Sequence, residues 1–420
     1  MASNEWKVIP SDAARLRTLA ARVAEIARDG VNDEYARLWS LSNSLKGERP
    51  MVMIEHHGIR DELGIEASIA CVEEWARGVE SELVHTIYHF EKTHDDVVVA
   101  PWFSINWAVT ESDYGVQSPK TYGHNEGKLA SYHWETPIKD LDKDFSRLHP
   151  RTFSVDREKT LRWKKHLEDV FGDLLPVRIR GTFWWTVGMT WHAINLIGLE
   201  NLMLFMYDNP KGLHRLMTFL HDDHIAFAEW LEKEGLFTPN NENDYIGSGS
   251  RGHTMELPRK GWKPGDRVTM KDQWVLSESQ ETVGVGPELF AEFVFPYQLE
   301  IVKRFGLLYY GCCEPVHSRW HVIKQFPNLR KVSVSPWCDE AFMGEALGRD
   351  YVYCRKPNPA LISTEKWDEE AIREDLRKTL RAAKGCNLEI VMKDVHTVSD
   401  QPWRLGRWVE IAREEIDRRP

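Results

Sequence analysis

Apolar residues along this chain recur in two patterns, a helical period and short unbroken runs. SDAARLRTLAARVAEIARDG (11–30) holds them at helical spacing and closes on a glycine, which predicts an amphipathic helix. A second helix is expected over 32–45. RPMVMIEHHG (49–58) then reads as a buried strand ending in ionisable residues. The same grammar returns in VVVAPWFSIN (97–106), LPVRIRGTFWWTVG (175–188), QWVLSESQET (273–282), GLLYYGCCEP (306–315), RKVSVSPWCD (330–339), DYVYCRKPNP (350–359) and NLEIVMKDVHTV (387–398). Between these eight runs lie helical segments at 65–90, 194–233, 287–305, 315–326, 340–348 and 366–384. Nearly continuous apolar strands alternating with helices predict a parallel sheet covered on both faces. Eight repeats favour a (β/α)8 TIM barrel, here residues 47–420, with an N-terminal helical extension over 1–46. Two stretches break the rhythm. Residues 107–160 are polar and 238–272 are rich in Asn, Gly and Pro, so both are expected to be long lids or binding loops. The glycine-rich GSGSRG (247–252) joins no strand to a helix and reads as lid flexibility, not a phosphate cradle.

Composition narrows the class. In 420 residues, 42% are hydrophobic, which excludes a disordered chain. The formal charge of −11 argues against non-specific nucleic-acid or membrane-surface partners. No apolar run approaches the roughly 18 residues of a membrane span, and the N-terminus lacks the pattern of a secretory signal. A cytoplasmic protein is expected. The six cysteines (Cys71, Cys312, Cys313, Cys338, Cys354, Cys386) are too sparse for a disulfide scaffold, but four fall between 312 and 354.

In a barrel the chemistry gathers where strands end. The strand ends here carry Glu55, His56 and His57, Trp102 and Asn106, Trp184 and Trp185, Glu278, Cys312 and Cys313, Cys338, Cys354 and Arg355, and Asp394 and His396. Carboxylate, thiol and imidazole are the ligand types of zinc, and a catalytic zinc takes three of them and keeps a position open. Glu278, Cys312 and His396 would suffice, with Cys313 an alternative to Cys312 and Cys354 an alternative third ligand. Each also has a bland reading: Glu278 as a cap, His396 as a hydrogen-bonded polar residue, Cys354 as a small apolar filler beside Tyr353. The spacing has none of the compactness of a CxxC pair or HExxH. Tryptophan is abundant, and Trp102, Trp107, Trp184, Trp185, Trp274 and Trp337 lie at or near strand ends. Such a group suits a flat, apolar-walled pocket for an aromatic or macrocyclic ligand, with His56, His57 and Asn106 as further contacts.

The stretch GTFWWTVGMTWHAINLIGLENLMLFMYDNPKGLHRLMTFL (181–220) resembles the uroporphyrinogen decarboxylase superfamily, in which a helix carries a Met-Tyr-Asp-x-Pro-x-x-x-His-Arg-Leu pattern. GVGPELFAEFVFPY (284–297), YCRKPNPALI (353–362) and the final NLEIVMKDVHTV extend the likeness over most of 175–415, while the N-terminal third matches only in outline. The decarboxylases themselves grip a tetrapyrrole through an Arg-rich first strand end. Here that segment is MIEHHGIR, with Arg60 alone. The site residues are more similar to the corrinoid-dependent methyltransferases, including methylcobamide:coenzyme M methyltransferases and O-demethylases. The coenzyme M type has His-x-Cys at one strand end and a Cys near the last strand. Tyr310-Gly311-Cys312 stands at the first place and His396 at the second.

What the resemblance implies is a zinc-dependent methyltransferase that moves a methyl group between a methoxy substrate, aromatic by the tryptophans, and the cobalt(I) of a cobalamin or corrinoid carried by a partner protein. Glu278, His396 and Tyr310 are the catalytic candidates, and a homodimer is expected. The alternative is a metal-independent decarboxylase or lyase acting on an acidic substrate, with Glu278 and His396 as acid and base and Arg355 as carboxylate clamp. A third class is a non-catalytic binder of a corrinoid or porphyrin.

Overall fold

The computed structural model describes residues 5–123 and 132–418. Six of the expected strands form one parallel sheet: β1 (Met51–Ile54), β4 (Trp274–Ser277), β5 (Leu307–Tyr310), β6 (Leu329–Val334), β7 (Val352–Arg355) and β8 (Asn387–Met392). Their order is β1-β8-β7-β6-β5-β4. The other two, β2 (Phe103–Ile105) and β3 (Val177–Ile179), pair only with each other, also in parallel.

No ladder among the described residues joins β1 to β2 or β3 to β4, so strand pairing does not close a barrel. Both edges of the large sheet are instead satisfied by other groups, as buried backbone requires. On β1, the Asp96 carboxylate accepts from Val52 N–H (2.7 Å) and the Asp95 carboxylate from Ile54 N–H (2.9 Å). On β4, the Asn240 side chain pairs with both the N–H and the C=O of Trp274. The run 97–106 therefore pairs as a strand only over its last third.

Helices occupy most of the expected places. α1 (Pro10–Ile26) and α2 (Gly30–Asn43) precede the sheet, and α3 (Glu74–Tyr88) follows β1 and runs into a π-helical turn, His89–Thr93. The segment read as one helix over 194–233 is three: α5 (Thr190–Ile197), α6 (Leu199–Asp208) and α7 (Pro210–Lys233). Gly198, at φ +88°, and Pro210 supply the breaks. The segment 287–305 divides likewise into α8 (Pro287–Phe293) and α9 (Phe295–Val302). α10 (Glu340–Leu347), α11 (Glu369–Ala382) and α12 (Trp403–Asp417) complete the helical cover, and none is long and apolar enough to cross a membrane among the described residues.

The two long loops differ from expectation. Residues 107–160, of which 124–131 lie outside the described residues, carry two short antiparallel ladders, 108–111 with 153–156 and 120–122 with 132–134. They lead into α4 (Arg157–Phe171). The glycine-rich loop is no loose lid. It packs against one face of the sheet, with Ser248 and Ser250 fully buried. Gly249, at φ +81°, lies so close to β8 that a Cβ there would stand 2.6 Å from Val391 Cγ1. Its glycines permit close approach to the sheet.

Strand alternation sorts the two faces. Val52, Ile54, Val275, Leu308, Tyr310, Val332, Tyr353, Leu388 and Ile390 join the cluster that packs on the helices. Met51, Met53, Trp274, Leu276, Tyr309, Cys354 and Val391 join the opposite one. That second face also buries Lys331 and Glu389 as an ion pair at 2.6 Å.

Candidate functional site

The densest chemistry lies just past the C-terminal ends of the neighbouring strands β4 and β5, with β8 contributing across the same end. Glu314 binds the first two ends together. Its carboxylate accepts from Ser279 N–H (2.9 Å) and from Cys312 N–H (2.8 Å), while Gly311 N–H donates to Ser277 C=O (2.8 Å). Glu278 and Cys312 are thus fixed on adjacent strand ends, both buried. Glu278 Oε2 accepts from Gln280 N–H, but its Oε1 is buried without a partner. Gly188 makes room for it, since a Cβ there would meet the Glu278 carbonyl oxygen at 2.2 Å and Oε1 at 2.9 Å.

The electrostatics of this group oppose one another. Burial, with Glu281 and Glu314 close by, raises the Glu278 carboxyl well above its ordinary range. Burial also raises Glu314, partly offset by its backbone donors. The Cys312 thiol goes the other way. A hydrogen bond from Cys313 (Sγ–Sγ 3.6 Å) and the Lys393 ammonium (Nζ–Sγ 3.4 Å) lower it against burial. Lys393 is itself held protonated, despite burial, by Cys312 and Asp394. A cation beside a buried thiol is the setting of a reactive or metal-ligating thiolate. Cys313 Sγ also lies 3.4 Å from Asp394 Oδ2, an alternative acceptor for its single proton, which links the end of β5 to that of β8.

The remaining candidates are dispersed. His396 is exposed beside Gly58, and no hydrogen bond joins it to Glu278 or Cys312 among the described residues. Tyr310 is fully buried on the helix-facing side, its hydroxyl 2.8 Å from Ser279 Oγ. Cys354 sits below the strand end, where its Sγ accepts from Lys356 Nζ (3.0 Å) and Tyr309 O–H (3.2 Å). Arg355 points into the helical layer and is engaged by Glu340 (2.9 Å) and Asp375 (3.3 Å), so its guanidinium is not available as a clamp at the strand end. Trp184 packs on Phe227, Phe237 and Phe305. Trp184 and the exposed Trp185 line a cavity of only about 30 Å³, room for about one water. Asn106, exposed, is paired with the Thr182 backbone.

Trp102 lies under Arg178 and lines a larger cavity of about 320 Å³ with His85, His89, Asn243 and Arg251. His56, fully buried, stacks on His89 at 4.1 Å between ring centroids, whereas its neighbour His57 is exposed. Glu55 lies within electrostatic reach of both Arg251 and Lys393.

Sequence reasoning passed over Lys393, although it falls on the inward parity of Glu389 and Val391. It also left Glu314 out of the site while reading it at a strand end. His85 and His89 have a signal of their own, His-x-x-x-His in a helical segment, which puts both rings on one face.

No protein-family model matches the sequence, and no curated protein is significantly similar to it. Among solved structures the fold is similar to that of a methyltransferase from Methanosarcina mazei, with a TM-score of 0.51 and 11% identity over 90% of this chain and 97% of that one. At that identity the likeness is one of fold.

Proposed function

We propose that this chain is a methyltransferase built as an eight-stranded α/β barrel whose ladders are interrupted at two seams, a single domain behind the helical extension. The reaction moves a methyl group from a methoxy substrate to the cobalt(I) of a corrinoid on a partner protein. The observation that carries the reading is the Glu278–Cys312 pair: a buried carboxyl oxygen without a partner beside a buried thiol lowered by a neighbouring thiol and an ammonium. A hard donor left unsatisfied and a soft donor on the adjacent strand end, its thiol lowered, are ligand types that fit zinc. Cys312, Cys313 and Glu278 would hold it, with His396 the outlying donor of the set. When bound, zinc supplies Lewis acidity toward the ether oxygen.

The chain's own residues do the rest. Cys313 and Lys393 favour the ionised form of the Cys312 thiol, Glu314 fixes the spacing of the two strand ends, and Gly188 leaves the Glu278 carboxyl room. The fold similarity to a methyltransferase supports the class. The decarboxylase alternative loses ground because Arg355, its clamp, is tied to Glu340 and Asp375.

The test is X-ray absorption at the zinc edge, paired with turnover of methoxyarenes by cob(I)alamin in wild type and Cys312→Ala. Sulfur ligation and turnover in wild type, both lost in the variant, are expected. Turnover that survives the variant refutes the site, and wild-type zinc without sulfur ligation refutes the ligand set.

A further inference from the structure

His85 and His89, which line the 320 Å³ cavity, and His56 stacked on His89 are not used by the proposed reaction. His56 follows β1, while His85 and His89 stand one helical turn apart where α3 passes into its π turn. Such turns inside helices recur at functional sites. One ring nitrogen from each histidine lies within 4.8 Å of one from each of the others, and among the described residues no other three metal-ligating side chains meet as closely.

In two of the three, the other ring nitrogen is already engaged in the way metal-bound imidazoles require. His89 Nε2 donates to the Asp95 carboxylate at 2.9 Å, which leaves Nδ1 as the lone pair. Asp95 is held by Ile54 N–H (2.9 Å) and Val97 N–H (3.0 Å), so this support is rigid. His56 Nε2 meets Thr93 Oγ1 at 3.0 Å, which leaves Nδ1. That Nδ1 and His85 Nε2 are both buried without a hydrogen-bond partner. Buried imidazole nitrogens are ordinarily satisfied. Two unpartnered buried nitrogens and a third histidine backed by a carboxylate are the donors a metal would take.

We infer that His56, His85 and His89 form a divalent transition-metal site of their own, separate from the strand-end thiols, which takes a zinc-class ion through three imidazoles and opens its fourth position to the cavity. Imidazole-only ligation suits zinc, copper, nickel and iron over calcium or magnesium. Zn–N bonds of about 2.0–2.1 Å set tetrahedral N–N separations near roughly 3.4 Å. Binding therefore draws the rings together by about an ångström and tilts the His56–His89 stack. Three protein ligands with one open position is the arrangement of a catalytic rather than a structural zinc. The open position faces Arg251 and Trp102, so the group it would receive is a small anion or carboxylate.

Zinc and cobalt(II) alone are the probes. A Cys312→Ala/Cys313→Ala variant removes the strand-end thiols. It is expected to retain one equivalent of zinc per chain after dialysis, and its cobalt form to show d–d bands with no sulfur-to-cobalt charge transfer. Adding His85→Gln should abolish both and weaken zinc binding at least tenfold. His85→Gln is the preferred variant because His85 Nε2 has no hydrogen bond to lose. Should the thiol variant fail to fold, His85→Gln in the wild-type background removes one equivalent of zinc and leaves the sulfur-ligated signal intact. Zinc should also raise the Tm of the thiol variant but not that of its His85→Gln derivative. A folded thiol variant that binds no zinc, or zinc binding indifferent to His85→Gln, overturns the inference. Neither result bears on the sulfur-ligated site, which is read in wild type by charge transfer and turnover.

Discussion

Lys331→Met tests the buried polar strip beneath the strand ends. Lys331 and Glu389 are both fully buried, with Nζ and Oε1 2.6 Å apart. Ser250 closes the group, donating to Glu389 Oε2 (2.8 Å) and lying 2.5 Å from Lys331 Nζ. The attraction at that distance is about 6 kcal/mol at an effective dielectric near 20, and desolvating each ion costs several kcal/mol. The intact pair therefore contributes little net stability, while removing one partner leaves an uncompensated buried carboxylate. Lys331→Met should cost about 3–5 kcal/mol, and Lys331→Met/Glu389→Leu should recover most of that loss. The assay is urea unfolding followed by tryptophan fluorescence, analysed as a double-mutant cycle. A single variant within about 1 kcal/mol of wild type, or a double variant at the sum of the singles, would refute the reasoning.

Four further outcomes are expected. In metal-free protein, Lys393→Met should shift the pH midpoint of Cys312 alkylation upward, since the variant removes the adjacent ammonium; an unmoved midpoint would count against the Lys393–Cys312 contact. Glu314→Gln loses one of two acceptors for buried N–H groups and should cost about 1–3 kcal/mol, with methyl transfer falling further than folding explains if the strand-end spacing matters. Gly188→Ala drives a Cβ into the Glu278 backbone, so its thermal unfolding should fall by an amount worth about 1–3 kcal/mol; an unchanged Tm would exclude the close approach. Burial holds His85, His192 and His253 each to about 3 and His224 to about 4. The native state then binds fewer protons than the unfolded chain below the ordinary imidazole value of about 6.5. Stability is therefore lost as pH falls through that value, by up to about 1.4 kcal/mol per unit for each histidine. A urea midpoint flat between about pH 7 and pH 5 would contradict this.

The sequence by itself determined the alternation of strands and helices, the parity of each strand, and the ionisable residues that follow it. Those are local properties: unbroken apolar runs read as buried parallel strands, and ionisable side chains collect where such runs stop. Helix ends and breaks were partly legible too, although Gly198 and Pro210 divide a segment whose apolar period runs on without them. Tertiary structure alone decided which of those side chains meet. Lys393 reaches Cys312 from 81 residues away, and Arg355, on the opposite parity from Cys354, turns into the helical layer. The glycine-rich loop lies against the sheet because its small residues permit an approach that no spacing in the sequence announces. His56 joins His85 and His89 only because β1 delivers it to the face of α3. Contacts between distant segments depend on packing and on which buried groups must find partners, and neither is written in the period of the chain.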